Sequence, residues 1–414
     1  MAHFPASDTF DVSAAARPQK PSPAPEEIKF EDLIAPLARE EFFSEYWEQK
    51  PFVSKDKPKF FFRNLFSIED VDKVVVHHKP KPGHIDLVSE HGFVRDNFLN
   101  ADQTANINLV YQNYLKGSTV ILSGLETSWP PLHQFCRALE GDLNHRVGVA
   151  VYLTPSQTKG VKPHYDTQEG FLVQIDGAKR WKVYEPVYEF PPVEGSYTST
   201  EREQLSAPIL DVVLNPGDVL YIPRGYPHEG ISCDDTPSLH ITLEVHVRTW
   251  LDFLSDALGA LADRDKRFRQ SVPVSFLNDA KAKDVLKTNF EFFKSIFSDQ
   301  STLEDALHKH VEHVVVEQPP MPDGHFATLF EKIELHTALK KRQVNTMRLF
   351  EKDQLTGMQF SGNQITGPKK IEAALGFIKL ADPFTPADLP GELTGKEKLV
   401  LVNRLIKIGL LTLA

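Results

Sequence analysis

Between Arg146 and Trp250 apolar and polar residues alternate with a period of two, interrupted by Gly and Pro turns, and this predicts an antiparallel β fold. Val149, Val151 and Leu153 alternate with Ala150, Tyr152 and Thr154. Leu239, Ile241, Leu243, Val245 and Val247 alternate with Ser238, His240, Thr242, Glu244 and His246. Phe171 to Asp176 and Lys179 to Tyr184 form two further strands, expected to join as a hairpin around Gly177-Ala178. Strands with one apolar and one polar face suit a barrel with a polar interior, and eight of them in two sheets make a jelly roll whose mouth accommodates a metal cavity.

On either side the period is that of a helix. Phe30 to Leu37 and Arg39 to Gln49 carry apolar residues at helical spacing, with Pro51 as the stop; Phe135 to Leu143 follows, and Trp250 to Leu261, Ala280 to Phe297 and Leu303 to Val315 lie beyond the strands. Past residue 331, helical stretches flank short strands near Thr346 to Phe350 and Met358 to Phe360, and Lys396 to Leu411 closes the chain, the order of a small winged helix. The expected class is α+β: a disordered tail over 1–27, a β domain over 28–250, a helical domain over 251–330 and a winged helix over 331–414. Apolar faces left over on the helical domain predict pairing with a second copy, a homodimer.

The formal charge of −11 argues against general nucleic-acid binding, which draws its affinity from Lys and Arg, and favours a basic protein partner. In residues 331–414 thirteen Lys/Arg face nine Asp/Glu, too mild an excess for a DNA-reading helix, so a structural or protein-contacting role is expected there. Cys136 and Cys233 are the only cysteines, which excludes a disulfide framework and a thiolate zinc cluster and fits a reducing interior. With no apolar run of membrane-spanning length, no secretory core in the first residues and no long basic run, no membrane association and a cytoplasmic location are expected.

Candidate chemistry concentrates in His164-Tyr165-Asp166 and His228. Side chains at i and i+2 of a strand leave the same face, so His164 and Asp166 can bind one ion together, and a second strand can add His228. Two imidazoles and one carboxylate leave three positions of an octahedral ion open, the arrangement of non-haem Fe(II) oxygenases. His84-Ile85-Asp86 and His310-Val311-Glu312 repeat the spacing. His84 sits in a turn after Pro82-Gly83, and His308, His310 and His313 lie in a charged helical stretch expected to be a solvated face. Only His164 and Asp166 are followed by the frame Pro216-Gly217-Asp218-Val219-Leu220-Tyr221-Ile222-Pro223-Arg224-Gly225 that leads to His228.

At these residues the chain resembles the JmjC-domain oxygenases and, among them, the ribosomal oxygenases, protein hydroxylases of the cupin fold dependent on Fe(II) and 2-oxoglutarate. The resemblance also covers Phe42-Phe43, Tyr46-Trp47-Glu48-Gln49-Lys50-Pro51, Tyr152-Leu153-Thr154-Pro155, Gly177 with Lys179-Arg180-Trp181, Ser238-Leu239-His240-Ile241-Thr242 and a closing winged helix over Leu393 to Leu411. It implies that 28–250 is a catalytic double-stranded β-helix and that 251–330 is a dimerisation domain. His164, Asp166 and His228 would hold Fe(II), and 2-oxoglutarate and O2 would be cosubstrates. The cosubstrate's far carboxylate would fall on Lys179, and a dicarboxylate in a narrow barrel does need a cation to offset its desolvation. Tyr152 and Thr242, on the polar faces of their strands, would donate to that carboxylate or orient ligands. Two positions depart from the family pattern: Ala150, where Asn is frequent, and Glu244, where a small residue is common. A carboxylate at 244 would repel a dianion unless it pairs with a cation such as Arg248 or the substrate.

The activity so implied is hydroxylation of a side chain, His or Arg, on a ribosomal or other basic protein. The same iron site would serve an N-methyl-lysine demethylase or a hydroxylase of small peptides. A reading of a different class is a non-catalytic metal-binding cupin scaffold, for which open coordination positions would have no use.

Overall fold

The alternating strands fold into two antiparallel sheets. The computed structural model describes residues 22–55, 57–95, 97–191, 198–199, 205–233, 236–297, 300–316, 323–342, 347–352 and 354–414. Of the tail expected over 1–27, residues 1–21 lie outside the described residues, and Pro25–Glu27 forms one 3-10 turn. The chain divides into two units, residues 1–123 with 150–243 and residues 124–149 with 244–414.

The strands are β1 (Phe52–Ser54), β2 (Ile85–Ser89), β3 (Gly92–Val94), β4 (Thr119–Ser123), β5 (Arg146–Thr154), β6 (His164–Tyr165), β7 (Glu169–Asp176), β8 (Lys179–Val183), β9 (Thr198–Ser199), β10 (Leu210–Leu214), β11 (Val219–Ile222), β12 (His228–Ser232) and β13 (Ser238–His246). The larger sheet has the order β1-β11-β7-β13-β5-β4-β2-β3 and the smaller β10-β8-β12-β6-β9. Leu172, Leu220 and Ile222 of the larger sheet pack with Trp181, Val183 and Leu214 of the smaller to form the core between them.

The hairpin expected at Gly177-Ala178 is not formed. β7 pairs with β11 and β13, whereas β8 pairs with β10 and β12, so the chain crosses from one sheet to the other at this turn. Local bonds hold the crossing: Gly177 N donates to Asp176 Oδ1 (2.8 Å), and the Gln174 amide donates to Asp176 O (2.8 Å) and Ser238 Oγ (2.9 Å). Gly177 has φ +63°, and a Cβ there would lie 2.0 Å from Pro237 O, so no other residue fits the crossing.

Helices α1 (Phe30–Ile34) and α2 (Arg39–Glu45) cap the outer face of β7 and β11 through aromatic side chains. Phe42 meets Tyr221 at 5.0 Å and Phe171 at 5.9 Å between ring centroids, Phe30 meets Phe171 at 6.0 Å, and Trp47 stacks on Tyr221 at 5.9 Å. Such pairs add about 0.5–1.5 kcal/mol each beyond their burial. α2 stops well before Pro51. Glu48 takes a left-handed φ of +60°, and its N–H donates to Tyr221 Oη (2.8 Å) instead of continuing the helix.

In the second unit, α3 (Pro130–Leu143) starts with proline at its first position, where no N–H is needed. α4 (Trp250–Arg264) is opened by a capping box between Thr249 and Asp252 and packs against α6 (Gln300–Val311), while α5 (Ala280–Phe297) runs between them in sequence. Strands β14 (Leu339–Lys341), β15 (Met347–Lys352), β16 (Leu355–Phe360), β17 (Asn363–Pro368) and β18 (Leu411–Leu413) form a pair, β14-β18, and a meander, β15-β16-β17. Around Met358, Phe360, Leu375, Val402 and Leu405 they share a core with α7 (Glu372–Leu380) and α8 (Gly395–Lys407). The closing helix ends at Lys407 rather than running to Leu411: Gly409 turns with φ +88° and the last residues join β14. Among the described residues no helix is long and apolar enough to cross a membrane.

Because Phe42 is fully buried among Phe30, Phe171 and Tyr221, Phe42→Ala is expected to cost about 3–5 kcal/mol. The check is the midpoint of denaturant unfolding, read with an unchanged slope.

Candidate metal centre and anion pocket

The site grows from one register. β12 pairs with β6 on one side, His228 opposite His164, and with β8 on the other, His228 opposite Val183 and Ser232 opposite Lys179. The start of β11 is fixed by the Gly-Asp turn. Asn215 N donates to Asp218 Oδ2 (2.9 Å), Gly217 has φ +99°, and a Cβ at Gly217 would come within 2.8 Å of Pro58 O.

His164, Asp166 and His228 converge, with one ligand atom of each lying within 4.8 Å of the others. His164 Nε2 is 3.7 Å from Asp166 Oδ1, His228 Nε2 is 3.7 Å from Asp166 Oδ2, and the two rings are 4.4 Å apart. Each Nδ1 faces a backbone carbonyl, His164 that of Lys162 at 2.8 Å and His228 that of Tyr226 at 3.1 Å. A carbonyl can only accept, so the proton sits on Nδ1 and each Nε2 turns a lone pair toward the carboxylate, the tautomer a metal ligand needs. Burial, reinforced by the His228 ring, pushes His164 down to about 4, which keeps it neutral at pH 7. Asp166 is itself anchored, its carbonyl accepting from Gly225 N at 2.9 Å. Among the described residues this is the only group of three with such geometry.

Beside the three lies a pocket with a buried cation in its wall. Lys179 is 2% exposed, and among the described residues no carboxylate lies within ion-pair reach of it. Its Nζ is 3.4 Å from Thr154 Oγ1 and 4.8 Å from the centre of the Trp181 ring. Desolvation lowers its pKa from the ordinary 10.5 to about 7. Trp181 Nε1 and His240 Nδ1 are buried without a hydrogen-bond partner. Two unsatisfied nitrogens beside a buried ammonium with a single long bond to a hydroxyl are costly unless a ligand enters.

Tyr152 and Thr242 line the same cavity as Lys179, Trp181 and His240, and Tyr152 stacks on His240 with centroids 4.8 Å apart and planes 9° from parallel. Sequence reading placed Trp181 and His240 on their strands without giving them a role. It passed over Gly230 altogether. A Cβ at Gly230 would lie 2.7 Å from Lys179 Cε and 2.9 Å from Trp181 Cζ3, so the glycine makes the room in which Lys179 lies. The available signal was a glycine two residues after His228 inside a strand.

The other candidates lie elsewhere. Ala150 is buried in β5 opposite Ser123, and Glu244, near the end of β13, has its carboxylate beside Gly148. His84 is exposed, 3.4 Å from Ser123 O. The His308, His310 and His313 stretch is not the solvated face expected: His310 Nδ1 lies 2.8 Å and His313 Nε2 3.4 Å from the buried Asp256, which also binds Arg248 at 3.0 Å. Packing of α6 on α4 turns His310 inward, while His313, beyond the end of α6, reaches Asp256 and stays 38% exposed.

A JmjC domain model matches residues 128–253. The bifunctional lysine-specific demethylase and histidyl-hydroxylase NO66 of Drosophila persimilis is 38% identical over 254 residues, 60% of this chain and 36% of that protein. Ribosomal oxygenase 1 of Rattus norvegicus is 32% identical over 275 residues, 63% of this chain and 46% of that protein. The chain thus spans less than half the length of these curated relatives. Among solved structures, Escherichia coli ycfD superposes with a TM-score of 0.57 at 16% identity, over 91% of this chain and 98% of that one. A structure of the same ribosomal oxygenase in complex with cobalt and 2-oxoglutarate gives 0.53 at 17% identity over the same shares. These likenesses show the fold.

The buried lysine sets a stability test. Between pH 7 and 10.5 the unfolded chain holds a proton on Lys179 that the folded chain has lost, so stability rises with pH through this window and the full penalty is felt below it. Lys179→Met is expected to be more stable than the wild type at pH 7, by a few kcal/mol, with the difference shrinking toward pH 10. Urea midpoints at both pH values check it, and a variant weaker than wild type at pH 7 contradicts an unbalanced buried cation.

Proposed function

We propose that this chain, in line with the JmjC domain match over residues 128–253 and the similarity to ribosomal oxygenase 1, is an Fe(II)- and 2-oxoglutarate-dependent oxygenase that hydroxylates a side chain, His or Arg, of a ribosomal or other basic protein. The observation that carries this reading is the placement, in one cavity, of a buried lysine without a carboxylate partner beside two imidazoles and a carboxylate. A metal scaffold has no use for Lys179, and an anion-binding pocket alone has no use for the other three.

His164, Asp166 and His228 would hold the iron through Nε2, a carboxylate oxygen and Nε2, with second contacts that already fix their orientation. Lys179, assisted by Tyr152 and Thr242, would take the far carboxylate of 2-oxoglutarate; Trp181 Nε1, a donor without a partner, is an additional group in need of an acceptor. When bound, iron and cosubstrate supply the oxidising chemistry, in which 2-oxoglutarate and O2 become succinate, CO2 and one oxygen inserted into a substrate C–H bond. The rest is the protein's share. An incoming dianion holds the proton on Lys179, Leu172 and Trp181 help to keep water from the pocket, and Asp166, the most exposed of the three, faces the side from which substrate would arrive.

Demethylation of N-methyl-lysine uses the same site and is the second reading, favoured by the relative named both demethylase and histidyl-hydroxylase. The same proposal takes 28–250 as the catalytic domain, 251–330 as a dimerisation domain and 331–414 as a winged helix. α4 leaves Trp250 81% and Leu251 74% exposed and α5 leaves Phe290 66% exposed, surface that a second copy of the chain would cover.

Succinate release from 2-oxoglutarate under air, with Fe(II) and basic ribosomal-protein fragments, is expected for the wild type and is expected to fall to background in His164→Ala. Gain of one oxygen by the fragment supports hydroxylation, and loss of a methyl group supports demethylation. Equal succinate release by the variant contradicts the assignment. For the dimer, Trp250→Asp is expected to halve the solution mass measured by light scattering.

A further inference from the structure

The loop between β11 and β12 holds two of the three converging side chains by its backbone. Gly225 N donates to the carbonyl of Asp166 at 2.9 Å, and the carbonyl of Tyr226 accepts from His228 Nδ1 at 3.1 Å. What holds the loop is Arg224, whose side chain is only 8% exposed. It reaches in two directions: Nη2 donates to Glu48 Oε1 at 2.6 Å, and Nε lies 3.4 Å from Oε1 of Glu169, a fully buried carboxylate, as an ion pair without hydrogen-bond alignment. Glu169 also accepts from Tyr221 Oη, and Tyr221 Oη in turn accepts from Glu48 N. Arg224 thus ties the end of the helical cap, the strand that follows Asp166 and the loop that precedes His228 at one point.

We propose that Arg224, clamped between Glu169 and Glu48, is a positioning residue for the metal site, setting Asp166 through Gly225 N and the ring of His228 through Tyr226 O. The inference rests on the reading of His164, Asp166 and His228 as ligands. A buried charge with carboxylates on two sides is costly to keep, and a loop needing only to be folded would be served by apolar packing. A guanidinium is rigid and forked, so it fixes distance and angle together where a flexible ammonium does not. Phe190, 5.3 Å from the guanidinium carbon, covers its remaining face. Glu48 adopts its left-handed backbone while making both contacts, so the cap is shaped to meet the arginine.

The test is a titration of the full chain with Co(II) in the absence of oxygen, followed by the metal's visible absorption bands. Wild type is expected to bind one ion. Arg224→Gln is expected to bind it on the order of 10–100-fold more weakly, as loss of an outer support does at metal sites, with shifted bands and an unchanged near-ultraviolet circular dichroism spectrum. Arg224→Lys, which keeps the charge and loses the fork, is expected to fall between them. Arg224→Gln titrating with wild-type affinity and bands overturns the proposal. Should that variant fail to fold, Glu48→Gln, which leaves Glu169 paired, is read in the same way: weaker binding supports the proposal and wild-type binding overturns it. Wild type that binds no cobalt overturns the metal reading itself, a result distinct from either.

Discussion

The pairing of β12 with two neighbours at once is the constraint on which the site depends. In that register His228 stands opposite His164 on one side, while on the other the strand runs beside β8 until Ser232 meets Lys179. A slip of one residue in β12 would turn its side chains to the other face, separate His228 from His164 and take Gly230 from its place beside Lys179. The features that pin the register are therefore functional features too: the Gly-Asp turn before β11, the crossing at Gly177 and the glycine at 230 that leaves space for the lysine.

The cavity works against folding. A cation is buried without a carboxylate partner, His240 and Trp181 have unsatisfied nitrogens, and the carboxylate of Asp166 faces two imidazoles, one of which, His164, burial keeps from protonating. Stability comes from elsewhere in the same unit, chiefly the aromatic cluster of Phe30, Phe42, Phe171 and Tyr221 that fastens the helical cap onto the larger sheet. Tyr221 belongs to both systems: its ring packs against Phe42 and its hydroxyl joins Glu169 and the turn at Glu48. The cap and the polar network around Glu169 thereby share one residue.

Much of this was legible in the sequence because it depends on near neighbours. Spacing of His164 and Asp166 on a strand, the Pro-Gly-Asp turn, the period-two pattern of β5 and β13 and most helix positions are local properties. The errors fall where distant residues decide. A Gly-Ala step between two strands has the look of a hairpin, but Pro237 O and Ser238 press on Gly177 from another strand and send the chain to the opposite sheet. Arg39 to Gln49 is helical in pattern, yet Tyr221, far away in sequence, captures the amide of Glu48 and ends the helix early. The inward turn of His310 and the reach of His313 likewise need Asp256 from another helix. Gly230, Trp181 and His240 became recognisable only once the strands were side by side, since their importance lies in what they leave open or unpaired.

The proposed function places one electrostatic requirement on the pocket: a doubly charged ligand would be bound at one end by Lys179 and at the other by a metal held on His164, Asp166 and His228. The most direct test is a crystal structure of the protein grown with Co(II) and 2-oxoglutarate, with the ion located by its anomalous scattering. The account predicts one ion bonded to His164 Nε2, Asp166 and His228 Nε2 and a cosubstrate carboxylate against Lys179 Nζ. An ion bound away from these three, or a carboxylate bound away from Lys179, would contradict it.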